Sequence, residues 1–206
     1  MENYICVNGK KIALTKEQVQ QIAESCVEKK EQVSLAEIPV GAVFKLSGDN
    51  EFVVLEQMEG STAVILKNKF GPDSAFGENN NYNGCFVDEI CNSLAEVIEN
   101  IVGEDALIPH TVDLTADDGL KDYGVVSREV SLLTADQYRK YVYILDKHKL
   151  DNWWWLATPH STATHEHETC VKCVSPSGSI INDDYYNDSN GVRPFLILKS
   201  SIFVSV

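Results

Sequence analysis

The stretch from Trp153 to Lys199 limits what this chain can fold into more than any other. It opens with Trp153-Trp154-Trp155-Leu156-Ala157-Thr158-Pro159 and closes with Gly191-Val192-Arg193-Pro194-Phe195-Leu196-Ile197-Leu198. Between these apolar anchors lies a long segment dense in Asn, Asp, Tyr, Ser, Thr and His. Such side chains make adaptable polar and aromatic contacts, as antibody loops do. The pattern reads as a scaffold holding a contact surface rather than as a catalytic constellation. Within it, Val171 to Val174 and Ser179 to Asn182 are expected to form a hairpin across Pro176-Ser177-Gly178. Val192 to Leu198 reads as a core strand, and Pro194 inside it implies an edge position or a bulge.

The 206 residues suffice for one domain of ordinary size plus an appendage. Hydrophobic content of 44% with 23% charged residues is that of a soluble globular protein. A net charge of −14 argues against nucleic-acid binding, which needs clustered Lys and Arg, and against anionic membrane surfaces. No apolar run approaches the roughly 20 residues that span a bilayer. Met1-Glu2-Asn3-Tyr4 lacks the basic and apolar regions of a secretory signal, so synthesis in the cytoplasm is expected, with exit by lysis or in a particle. Six cysteines scattered along such a chain read as free thiols.

Taken in order, Tyr4 to Val7 and Lys11 to Leu14 flank Asn8-Gly9, a strong hairpin signal. Thr15 and Gln18 form a capping-box pattern, and Val19, Ile22, Ala23 and Cys26 predict a helix over 16–31. This element, residues 1–32, cannot bury its apolar stripe alone. It is expected to pack on the main domain or on a second copy of the chain, giving a homo-oligomer. The main domain is expected over 36–206, entered at Ile38-Pro39. Strands are predicted at Val43 to Leu46, Glu51 to Leu55 and Thr62 to Leu66, with turns at 47–50 and 59–61. Phe70 to Gly84 reads as an irregular loop whose Asn79-Asn80-Asn81 run is taken as solvated ahead of the alternative, a binding loop. A helical stripe from Val87 to Val102 ends at Gly103, which makes Cys85 and Cys91 packing thiols. His110 to Leu114 reads as a strand, Thr115 to Tyr123 as a loop and Val130 to Leu133 as a buried strand. Thr134 and Gln137 cap a helix carrying Tyr138, Tyr141, Val142 and Leu145 that stops near His148. Ile202 to Val204 reads as a last strand.

The Trp-Trp-Trp-Leu-Ala-Thr-Pro opening, the Val174-Ser175-Pro176-Ser177-Gly178 turn and the Gly-Val-Arg-Pro-Phe-Leu closure resemble an uncharacterised family of bacterial and prophage proteins. The resemblance implies a C-type-lectin-like domain of the formylglycine-generating-enzyme-like branch. That fold is shared with the variable proteins of diversity-generating retroelements, including phage receptor-binding tips. The implied fold class is α+β: antiparallel sheets and two main helices, preceded by a β-hairpin–helix element. Trp153 to Leu156 and Val192 to Leu198 become scaffold, with Arg193 tying the last strand to neighbouring carbonyls or a carboxylate. Residues 157–191 become the ligand-display region, with His160, Thr164, His165, His167, Cys170, Asp183, Tyr185, Tyr186, Asn187 and Ser189 as the binding candidates. The expected function is non-catalytic recognition of a protein or glycan on a cell surface. A structural virion component and a cysteine-dependent oxidoreductase are the alternatives.

Three sites tempt another reading. His165, His167, Cys170 and Cys173 are zinc-type ligands within nine residues. If Cys170 to Val174 is a strand, however, residues three apart point to opposite faces and cannot share one ion. A redox Cys-x-x-Cys wants a helix N-terminus that is not evident here. Asp183, Asp184, Asp188 and Asn182 invite calcium, but the Glu-Pro-Asn and Trp-Asn-Asp signatures of calcium lectins are absent, and Asp117-Asp118-Gly119 reads as a turn. No cofactor and no metal are expected.

Overall fold

The computed structural model describes residues 4–7, 10–13, 15–17, 32–46, 50–103 and 105–206. The chain divides into two compact units, Met1–Gln32 and Val33–Val206. In the first, β1 (Tyr4–Val7) pairs antiparallel with β2 (Lys10–Ala13), Val7 facing Lys10 and Tyr4 facing Ala13. Asn8 and Gly9, where the hairpin turn is expected, lie outside the described residues. The helix expected over 16–31 lies outside the described residues beyond Glu17, as do residues 47–49 of the turn expected at 47–50 and the side chains of Cys6 and Cys26.

The second unit starts a few residues before the expected entry at residue 36, because β3 (Gln32–Ser34) already belongs to its main sheet and Leu35 is fully buried. The other members are β4 (Val43–Lys45), β5 (Glu51–Met58), β6 (Ser61–Leu66), β9 (Val130–Ser131), β13 (Phe195–Lys199) and β14 (Phe203–Ser205). Their order across the sheet is β3-β14-β4-β5-β6-β13-β9. The described pairings in it are antiparallel. The fold is mixed α+β with mostly antiparallel sheets.

Strict alternation along the central strands builds two cores. Phe52, Val54, Val64, Leu66, Leu196 and Leu198 face one side and join Val87, Cys91, Leu94 and Ile98 of helix α1 (Phe86–Val102). Val53, Leu55, Ala63, Ile65 and Phe195 face the other side and join Ala135, Tyr138, Tyr141 and Leu145 of helix α2 (Ala135–Leu145). A sheet covered on both faces explains why these strands read as nearly continuous apolar runs. Helix α2 starts with the expected capping box between Thr134 and Gln137. Helix α1 ends at Gly103, whose φ of +95° suits glycine.

Two expectations are corrected. Pro194 does not mark an edge: β13 is internal, flanked by β6 and β9, and Pro194 stands just before it with its carbonyl accepting from Leu66 N–H. A missing N–H is tolerated where the ladder has not yet begun. Residues after Tyr123 also hold a strand the sequence reading omitted, β8 (Val125–Arg128), paired antiparallel with β7 (His110–Asp113). Its half-exposed alternation in only four residues is a weak signal.

Candidate functional site

The candidate site hangs from a small sheet, β10 (Trp154–Pro159), β11 (Cys170–Val174) and β12 (Ile180–Asp184). Alternation again splits the anchors: Trp155, Ala157, Val171 and Cys173 enter one core, while Trp154, Leu156 and Val174 enter the other. The expected β11–β12 hairpin is present, with Val174 facing Ile180 and Cys170 facing Asp184. Gly178 turns it at a φ of +90°, and its carbonyl accepts from Tyr138 Oη at 2.8 Å. Beyond this sheet the chain makes two loops, 160–169 and 185–190.

The first loop is gripped from beneath. Asn80, fully buried, donates to the carbonyls of Ser161 (2.8 Å) and Cys170 (3.0 Å) and accepts from Tyr123 Oη (2.6 Å). The Asn79-Asn80-Asn81 run is therefore no solvated loop at its centre, a correction to the sequence reading. Two aspartates hold the loop from the side. Asp118 accepts from Ser161 Oγ and lies 2.9 Å from His165 Nδ1, and Asp122 accepts from both Thr162 and Thr164 hydroxyls. The Ser161 hydrogen bond, helped by His165, brings the Asp118 carboxyl down to about 2. Those from Thr162 and Thr164 lower Asp122. Ala163–His165 form one 3-10 turn, and Glu166 follows at a φ of +58°, the one non-glycine residue with positive φ among the described residues.

The second loop is tied down mainly by itself. Asp183 accepts from the side-chain amides of Asn187 and Asn190, both at 2.8 Å, and Ser189 Oγ donates to Asn187 Oδ1 at 2.6 Å. Tyr185 N–H bonds Thr169 and its carbonyl takes Phe76 N–H, so its ring packs against the core. Tyr186 stands edge-on to it at 5.4 Å, is 63% exposed, and donates to Asp184 Oδ2 at 2.7 Å.

Of the ten candidates, Thr164, His165, His167, Tyr186 and Ser189 are exposed. His160, Cys170, Asp183, Tyr185 and Asn187 are only partly so, and Asp183, Tyr185 and Asn187 hold the loop in shape. The sequence reading missed Glu166 and Glu168, both exposed, as well as the supporting Asp118, Asp122 and Asn80. Asp118 and Asp122 lie some 40 residues from the hydroxyls they bind, and no local pattern announces such a pairing.

The zinc-type quartet does not converge. Cys170 Sγ lies 3.5 Å from Asp184 Oδ1, Cys173 Sγ faces the Ile181 carbonyl, and His165 is held by Asp118. No three His, Cys, Asp or Glu side chains among the described residues are grouped to hold a metal ion. Burial pushes the Cys173 thiol up to about 12 and raises that of Cys170 as well. Lys172, also buried, instead pairs with Asp117 at 2.6 Å.

Residues 117–200 are similar to a family described as a domain of unknown function (DUF6273). The match runs from the Asp117 turn to the end of β13 and so takes in both loops and their sheet. No curated protein and no solved structure matches the chain.

Proposed function

We propose that this chain is a non-catalytic ligand-binding protein of phage or prophage type. It would carry a C-type-lectin-like domain and recognise a protein or glycan on a cell surface through loops 160–169 and 185–190. One observation carries the reading. The side chains that face solvent here belong to loops fixed by hydrogen bonds beneath and beside them, and Thr164, His165, Tyr186 and Ser189 join that network, so the surface is preorganised. Preorganised polar loops with a rigid exposed aromatic, here Tyr186, lower the entropic cost of binding. Support of the loops by residues outside them, Asn80, Asp118 and Asp122, also suits a retroelement-diversified variable protein. Genomic copies differing mainly at Thr164, His165, His167, Tyr186 and Ser189 would support that, and identical copies with no reverse transcriptase nearby would remove it.

Raised thiol pKa values at Cys170 and Cys173 speak against the oxidoreductase alternative, which needs an accessible thiolate. The test is binding of the purified chain to arrays of bacterial surface glycans and surface proteins. A ligand bound by the parent chain and lost in loop variants supports recognition. Binding to none of them favours a structural virion component.

A further inference from the structure

Helix α1 has one broad apolar face, part of it buried and part of it at the surface. Val87, Cys91, Leu94 and Ile98 enter the core. Phe86, Ile90, Val97 and Ile101, at spacings of four, seven and four, fall in a narrow sector that adjoins the core-facing one, and Ile90 packs against the core itself. Phe86, Val97 and Ile101 are 43%, 40% and 39% exposed, and Ile90 is half-buried. A single exposed apolar side chain is ordinary. Four in register along about 22 Å of one helix make a patch.

The charge bordering this patch is mainly acidic, with Lys199 beside Val102 and Asp105 beyond its far end. Glu89 and Glu96, both exposed, border the stripe, and Glu78 and Glu89 line a pocket of about 280 Å³ at its Phe86 end. From Phe70 to Leu120 the sequence has no Lys or Arg and eleven Asp and Glu. Arg128 is held by Asp88 on the opposite side of the helix and also donates to Asn83, which lines that pocket. A second copy of the chain docked by the same face would set these glutamates against one another.

We propose that this face of α1 docks a basic amphipathic helix, one whose apolar stripe is bordered by Lys or Arg. Apolar anchors at helical spacing supply the contact area, and opposite charges at the border fix the orientation. The proposal is independent of the ligand surface described above.

The test uses the full chain and a labelled peptide of about 18 residues, long enough for five turns, built from Leu and Lys with one apolar stripe. A permuted peptide of the same composition without a stripe is the control. Fluorescence anisotropy is expected to show the striped peptide binding about tenfold more tightly than the control, a difference of about 1.4 kcal/mol. Val97→Asp with Ile101→Asp should abolish that preference at an unchanged melting temperature. Glu89→Lys with Glu96→Lys, at exposed positions that do not threaten folding, should weaken binding about tenfold. Equal binding of both peptides, no binding, or binding untouched by the glutamate reversals overturns the proposal. So does self-association of the chain, seen by sedimentation and lost on Val97→Asp.

Discussion

The guanidinium carbon of Arg193 lies 5.2 Å from the centroid of the Trp154 ring, which brings the two ends of the C-terminal stretch into direct contact. Arg193 also donates to the carbonyls of Leu66 (2.9 Å), Lys67 (3.0 Å) and His148 (2.9 Å). Alongside, Trp155 N–H bonds the Gly191 carbonyl and Gly191 N–H bonds that of Trp153. The chain thus leaves the core and returns to it at one closure, and both loops are suspended from it.

Arg193 is 1% exposed, and burial pushes its pKa down to about 10, so it stays charged at neutral pH. Arg193→Ala would strip three carbonyls of their donor and is expected to cost about 3–5 kcal/mol. Arg193→Lys recovers a charge but not the fork, and is expected to recover less than half of that loss. Chemical denaturation of both variants measures the difference.

His110 is packed edge-on against Phe195, and burial lowers its pKa to about 4 from an ordinary 6.5. Its folded form therefore prefers the neutral ring. The stability this contributes is complete above pH 6.5 and is lost as pH falls towards 4. The loss is expected to total roughly 3 kcal/mol. A denaturation series between pH 7 and 4 should show it, and His110→Gln should flatten the profile. An equally steep profile in that variant would assign the effect elsewhere.

Asn80→Ala should lower stability by about 2–3 kcal/mol, because the Ser161 carbonyl loses a buried donor, the Cys170 carbonyl loses one too, and Tyr123 loses its acceptor. Hydrogen exchange should rise mainly over 160–170. A uniform rise across the domain would contradict the local role.

Glu166 occupies the left-handed region, where an L side chain is strained. Glu166→Gly is expected to be neutral or to stabilise by up to about 1 kcal/mol, and Glu166→Val to destabilise by about 1–2 kcal/mol. Thermal melts of the pair decide the sign.

What could be read from the sequence follows from range. The capping box at Thr134, the helical stripe of α1, the turn at Pro176-Ser177-Gly178 and the hairpin at Asn8-Gly9 are local signals, and each has its element in place. The role the resemblance implied for Arg193 is also met, since it donates to three carbonyls, as a buried guanidinium must find acceptors. Asn80 was misread because its partners are 43 to 90 residues away. Tyr185 and Tyr186 looked alike in sequence. Backbone hydrogen bonds to Thr169 and Phe76 turn the first into the core and leave the second outside. Pro194 misled because a strand boundary one residue later removes its penalty.

The most direct measurement of recognition by the two loops is the affinity of Tyr186→Ala for an array-identified ligand, read beside its melting temperature. Tyr186 is exposed, and its only hydrogen bond among those described goes to Asp184, so the variant should melt like the parent. The account predicts binding weakened about tenfold or more, as for an aromatic hot spot, at an unchanged melting temperature. Unaltered affinity in Tyr186→Ala, and again when Thr164, His165 and His167 are replaced by Ala, would contradict it and place recognition elsewhere on the molecule.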